Sequence, residues 1–250
     1  MELRSHIIQL LATPGTDSRF ADAYFVQNVV RQTSLRSHQV HEALWGLVGD
    51  GLVYLLPAPG ASSTDNWQWR LSALGIGVAT SGGNWEPRDP EGYLRRLRKH
   101  RPSIDEAALR YVEEALRAFN SRCYLATSVM LGVASERVLD GLAGAVVGAL
   151  GDSAAKLQEL LNKPGTTQFV RFTELRKRLE PMRAELPEGL ADTLTLDAVA
   201  DLLRITRNEA GHPSGVGVDE DTAHTHLLVA ARYLQKMTLL QEYFRQATAP

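Results

Sequence analysis

Val40 to Leu55 reads VHEALWGLVGDGLVYL, and two different periods meet in it. Val40, Leu44, Leu47 and Val48 recur at helical spacing on one face, which predicts a helix over Ser37 to Val48. Gly49-Asp50-Gly51 then ends that helix, and Leu52 to Leu56 reads as a strand. A polar Pro/Gly loop follows, PAPGASSTDN (57–66). After it WQWRLSALGIGVA (67–79) reads as a second strand over Trp67 to Leu71 and a short helix over Ser72 to Ala79. Two more helices are predicted upstream. Glu2 to Ala12 carries Leu3, Ile7, Ile8 and Leu11 at helical spacing, and Phe20 to Arg31 carries Phe20, Tyr24, Val26 and Val30 in a looser pattern.

Three helices followed by a hairpin with a loose tip, over about 75 residues, resemble the winged helix-turn-helix family. The resemblance makes the third helix the DNA-reading one, with Arg36, Ser37, His38, Gln39, His41 and Glu42 facing outward. Charge argues against tight stand-alone DNA binding. Arg4, Arg19, Arg31, Arg36 and Arg70 stand against Glu2, Asp17, Asp22, Glu42, Asp50 and Asp65, five bases to six acids. Neutralised phosphates supply most DNA affinity, and the wing carries Asp65 with no Lys or Arg before Arg70. Winged helices also serve in protein contact and dimerisation, so DNA and protein both stand as partners of this module.

The stretch SGGNWEPRDPEGYLRRLRKHRP (81–102) opens on residues that break regular structure and closes on a basic run. It divides the chain into a winged-helix-like domain (1–80), a linker (81–102) and a helical domain (103–250). In the last, helices are expected over Ile104 to Ser121, Cys123 to Leu150, Ser153 to Asn162 with Asp152 as N-cap, Gln168 to Leu179, Leu196 to Ala210 and Asp219 to Gln246. Strand-like alternation is absent there, so the fold class is mainly α, a winged helix followed by a helical bundle.

Of 250 residues, 44% are apolar and 22% charged, which permits a sizeable core. The net charge of -2 gives no global case for nucleic acid, so any such case rests on local patches. The single cysteine, Cys123, fits a reducing compartment and reads as a small buried hydrophobe. The apolar region Tyr124 to Leu150 is interrupted by Glu136, Arg137 and Asp140, so a buried helix is expected and no membrane span. A cytoplasmic location follows from these features and from the lack of a signal-peptide pattern at the start. No P-loop, dinucleotide fingerprint or nucleophile elbow is present, and His224-x-His226 lacks a third ligand. No metal or cofactor is implied.

The most informative stretch for chemistry is LLRITRNEAGHPSG (202–215). In a regular helix Asn208 and His212 share a face, while Arg207 and His212 diverge by about 140°. Gly211 permits a turn that brings His212 back toward Arg207 and Asn208, and Pro213 limits the chain beyond it. A guanidinium, an amide and an imidazole at a helix end suit a phosphodiester: Arg clamps a phosphate oxygen, and His serves as base on a 2′-OH or acid on the leaving 5′-oxygen. The same letters also read as a plain helix stop, Gly then Pro. Two basic clusters are candidates for holding RNA: Arg95, Arg96, Arg98, Lys99, His100 and Arg101, and Arg171, Arg176, Lys177 and Arg178, with Tyr93 and Phe172 as stacking surfaces. Solvated helix faces are the alternative.

Arg207 to His212 resembles the R-x4-6-H motif of HEPN domains. Upstream, SRCYLATSVMLGVASERVLDGL (121–142) resembles the early HEPN helix that carries a Glu, here Glu136. The resemblance spans Ile104 to Gln246. It implies a helical domain that dimerises so that two such motifs face each other, acting as a metal-independent endoribonuclease in toxin–antitoxin or phage-defence systems. It makes Arg207 and His212 catalytic, Asn208 an orienting residue and Glu136 an acidic support. Glu136 in a structural ion pair with Arg137 or Arg207 is the alternative. HEPN domains without nuclease activity also exist, which leaves a DNA-binding regulator with a dimerising or ligand-binding bundle, or a scaffold, as rivals. RNA, DNA, a second copy and an antitoxin or defence partner are thus the partners to test.

Overall fold

A computed structural model of the chain describes residues 3–13, 21–57, 67–80, 86–101, 103–187, 190 and 217–247. The fold is mainly α, with three helices and a β-hairpin followed by an all-helical bundle, a winged-helix plus helical-bundle layout. The chain divides into two compact units, Met1–Tyr93 and Leu94–Pro250.

The first unit contains α1 (Leu3–Ala12), α2 (Asp22–Thr33), α3 (Ser37–Gly49), β1 (Val53–Leu56), β2 (Gln68–Leu71) and α4 (Ala73–Thr80). The strands are antiparallel, with Val53 opposite Leu71 and Leu56 opposite Gln68. Ala21 adds a single antiparallel bridge to Gln68, and the Asp22 amide donates to the Trp67 carbonyl at 2.8 Å. One apolar cluster holds the unit together, with Ile7, Phe25, Val29, Val40, Leu44, Leu47, Leu52 and Trp69 at its centre. The buried stripe of α2 is Phe25, Val26 and Val29, whereas Tyr24, expected on the apolar face, is 68% exposed. Asp22 sets this rotation. It hydrogen-bonds inward to Trp69, so residues three, four and seven further on also face inward, and Tyr24 falls about 200° round the helix. Gly75 has a packing role: a Cβ there would lie 2.0 Å from the Leu52 carbonyl oxygen, so glycine is what lets α4 rest against the start of β1.

The basic run expected in a linker forms a helix, α5 (Pro90–His100), and the division between units falls within it after Tyr93. The second unit continues with α6 (Glu106–Asn120), α7 (Tyr124–Leu150), a 3₁₀ turn (Gly151–Ala154), α8 (Ala155–Asn162), α9 (Gln168–Leu179) and α10 (Glu220–Ala247). Asp105 caps α6, accepting from the amides of Ala107 at 2.9 Å and Ala108 at 3.1 Å. The 27-residue α7 is the centre of the bundle, buried against α6 and α10 through Leu131, Ala134, Val138, Leu142 and Val146. α7 and α10 run parallel, because Ser128 meets His226 and Ser135 meets Tyr233 further along both helices. By length and composition Tyr124–Asn162 is apolar enough to cross a bilayer, yet Arg137 and Asp140 within it form ion pairs with Asp105 and Arg171.

Two further local expectations fail. Cys123 is exposed, not buried: it sits in the turn before α7, where Arg122 has φ 61°, and so precedes the helical register that carries its neighbours inward. Asp152 does not cap a helix. It lies in the 3₁₀ turn, and α8 starts only at Ala155, preceded by Ala154 with no side-chain cap.

Candidate functional site

Arg207, Asn208 and His212 lie outside the described residues, as does the helix expected over 196–210. Glu136 is described. It sits midway along α7, half-buried, and accepts no hydrogen bond from the described residues. Its carboxyl is pushed up from the ordinary value, first by burial and then by the charge of Asp140 one turn on, with Arg171 pulling the other way. Asp140 is better served, accepting from Gln168 Nε2 at 3.2 Å and Arg171 Nη1 at 3.4 Å. Arg171 Nη2 also reaches the Leu161 carbonyl at 3.3 Å. Even so, Gln168 Oε1 and Arg171 Nε are buried with no hydrogen-bond partner among the described residues. Tyr233 comes from α10, its hydroxyl donating to the Ser135 carbonyl at 3.1 Å. Burial raises that phenol first, and the negative charges of Asp140 and Glu136 raise it further.

Where α7 meets α9, a carboxylate, an amide oxygen and a guanidinium nitrogen therefore lack a hydrogen-bond partner among the described residues. Such a carboxylate can receive a cationic side chain or exchange a proton. Arg137 does not supply the charge. It turns to Asp105, with Nη2 to Oδ2 at 3.0 Å and Nε to Oδ1 at 3.2 Å, and so holds the Asp105 carboxyl below its ordinary value. Of the two partners considered for Glu136, the structure removes Arg137.

The basic clusters sort differently from their expectation. On α5, Arg95, Arg98 and Lys99 share an exposed face, with Arg98 Nη2 3.3 Å from Glu106 Oε2, while Arg96 and Arg101 are half-buried. Tyr93 and Phe172 are not stacking surfaces. They are 1% and 2% exposed, because each occupies an inward position of its helix, Tyr93 with Leu94 and Leu97, and Phe172 with Leu175 and Leu179. On α9, Arg171 is committed to Asp140, Arg176 is half-buried and Lys177 is exposed. Glu174, a residue the sequence reading passed over, is buried among cations. Its Oε1 lies 2.7 Å from Arg178 Nη2, and its Oε2 lies 3.8 Å from Lys177 Nζ and 3.9 Å from Lys156 Nζ. Lys156 stands on α8, 18 residues before Glu174, and no spacing rule links them.

In the first unit, Arg36, Ser37, His38 and Gln39 are exposed at the start of α3. Gln39 Oε1 accepts from the Arg36 amide at 3.0 Å, so this side chain caps the helix. His41 is partly exposed and also acts as a strut: Nε2 lies 3.1 Å from Asp22 Oδ1 and Nδ1 lies 3.1 Å from the Ser37 carbonyl oxygen. Asp22 Oδ1 also accepts from Trp69 Nε1 at 2.9 Å. The outer face of α3 runs on through Glu42 to Trp45, which is 57% exposed and edge-on to Trp69. Elsewhere in the bundle, Ser128 Oγ lies 2.8 Å from His226 Nδ1, and burial pushes that imidazole below its ordinary value. Ser128 is too buried to meet a substrate, so this pair reads as a link between α7 and α10.

Fold and site thus define a two-unit, mainly α chain whose longest bundle helix among the described residues, α10 aside, carries a half-buried glutamate without a hydrogen bond from those residues. No known family model, curated protein or solved structure matches it.

Proposed function

We propose that this chain is a metal-independent endoribonuclease of the HEPN type, acting as a homodimer in a toxin or phage-defence role, with the winged-helix unit serving to sense, target or dimerise. One observation supports it above the others: Glu136 is half-buried with no hydrogen bond from the described residues, beside the unpartnered Gln168 Oε1 and Arg171 Nε. A guanidinium and an imidazole delivered there by Arg207 and His212 would meet those bonds. In this reading Arg207 clamps a non-bridging phosphate oxygen, and Asn208 orients the pair. His212 takes the proton of a ribose 2′-OH as its oxygen attacks phosphorus. The bond to the 5′-oxygen breaks, and that oxygen is protonated as it leaves, by the partner's His212 in a composite site. The products are a 2′,3′-cyclic phosphate and a 5′-OH.

A second reading, a DNA-binding regulator, draws on the exposed Arg36, Ser37 and His38 at the start of α3. The Glu42 and Trp45 face beside them suits a protein surface better than a phosphate backbone. The discriminating experiment is RNA cleavage by purified protein in excess chelator, beside His212→Ala and Arg207→Ala. Wild type is expected to yield cyclic-phosphate ends, and each variant to lose roughly 10²–10⁴-fold, the usual worth of a positioned acid–base group. Equal activity in wild type and variants would sink the assignment. Salt-dependent DNA binding without cleavage would favour the regulator.

A further inference from the structure

We infer that Lys156, Lys177 and Arg178 form a phosphate-holding site for single-stranded RNA, organised by the buried carboxylate of Glu174. The inference rests on RNA being the substrate, and it concerns where the strand is gripped, apart from the cleavage chemistry.

The Glu174 side chain is only 5% exposed, and three cations converge on it from two helices: Arg178 at 2.7 Å, Lys177 at 3.8 Å and Lys156 at 3.9 Å. Three cations share this one carboxylate, and Glu159 and Glu180, exposed and three residues beyond Lys156 and Lys177, form no ion pair with them among the described residues. None of the three pairs with another carboxylate among the described residues. The helices beneath them are fixed by packing, α9 through Phe172, Leu175 and Leu179 and α8 through Leu157, so the three heads are held close together. An ordinary solvated helix face alternates signs at the surface. Here the carboxylate that the three cations share lies underneath, while both lysines are 63% exposed and keep donors free for an anion. Arg178 Nε is in addition buried without a hydrogen-bond partner among the described residues.

Direction along α9 favours RNA over an isolated anion. Arg171, Glu174 and Arg178 are three and four residues apart and share one face of the helix. Arg171 ends against Asp140, the neighbour of Glu136, about 10 Å along the axis from Arg178. A strand held by the cationic cluster would run along α9 toward the candidate cleavage region, with each lysine serving as a point charge for one phosphate.

The test is binding of a 2′-O-methyl oligouridylate, which lacks the attacking hydroxyl, to the full chain across a salt series by fluorescence anisotropy. The Lys156→Ala/Lys177→Ala variant is expected to lower the log–log salt slope by about 1.4, two phosphates at roughly 0.7 each for a single strand. Glu174→Gln separates an organised site from a merely charged face. It removes a negative charge, so a charged face would bind more tightly, whereas loss of the anchor is expected to weaken binding. Both lysines are exposed, so the double variant keeps its fold and carries the test if Glu174→Gln unfolds. An unchanged slope, tighter binding by Glu174→Gln, or equal affinity for polyglutamate would each overturn the inference. The salt slope reads binding of an uncleavable strand and the His212-dependent assay reads cleavage, so failure here is distinguishable from failure of the nuclease reading.

Discussion

Asp22 in the first unit and Glu136 in the second are both partly buried carboxylates on helices, and they live in opposite circumstances. Asp22 holds three elements at once. Its carboxylate takes the Trp69 indole N–H and faces the His41 imidazole, and its amide reaches the Trp67 carbonyl. Glu136 receives no hydrogen bond from the described residues, has a like charge one turn away, and lies beside a buried amide oxygen and guanidinium nitrogen with no partners there. One network is closed and reads as architecture. The other has no hydrogen-bond partner among the described residues, and a half-buried carboxylate is stabilised by a donor that the rest of the chain or a ligand supplies. The same contrast recurs on the acidic side chains around α7, where Asp105 is closed by Arg137 and two helix amides.

The difference can be broken experimentally, beginning with the closed network. Asp22→Ala strands a buried indole N–H, and is expected to cost about 2–3 kcal/mol, the range for an unmet buried donor plus a lost charged partner. All four tryptophans, Trp45, Trp67, Trp69 and Trp85, fall within the first unit, so intrinsic fluorescence in a urea titration reads that unit alone. A loss under about 0.5 kcal/mol, the scale of an ordinary surface change, would show that Asp22 is not architectural.

A smaller effect is expected at the open network, with a characteristic dependence on pH. The described surroundings of Glu136 raise its proton affinity, and an Arg207→Met background removes the cation proposed to offset them. Folding then favours the neutral carboxyl. The stability this contributes is fully present below the unfolded carboxyl value, about 4.3, and is lost as pH rises through the raised folded value. Adding Glu136→Gln removes that loss. The difference between the two proteins, followed by far-UV circular dichroism in urea, should therefore grow in favour of Gln from pH 4 to pH 7. A difference that does not change with pH would mean that Glu136 is well solvated.

Most of the fold was legible because apolar spacing carries it. The stripes on α1, α3 and α6, the Gly-Asp-Gly stop and the two short strands lie within a residue or two of their expected bounds. Misreadings came where one residue's environment depends on distant contacts. Tyr24 was drawn into the apolar face because the rotation of α2 is set by Trp69, 47 residues beyond Asp22. Cys123 borrowed burial from apolar neighbours although it stands one residue outside their helix. Tyr93 and Phe172 were read with the basic letters around them, whereas helical counting places both inside. The candidate site was legible only as a list of residue types. That Glu136 is unserved, that Arg137 belongs to Asp105 and that Lys156 joins Lys177 and Arg178 at Glu174 are facts of tertiary packing, with no trace in local spacing.

We propose that Arg207 is the cationic partner of Glu136. A double-mutant cycle in unfolding free energy at pH 7 tests it directly, using Glu136→Gln, Arg207→Met and the two together. The expected result is a coupling of at least about 1 kcal/mol with a reversal of sign: Glu136→Gln destabilises the protein that retains Arg207 and stabilises the one carrying Arg207→Met. Effects that add to within about 0.5 kcal/mol, with Glu136→Gln stabilising both, would contradict it, and would leave Glu136 without Arg207 as its partner.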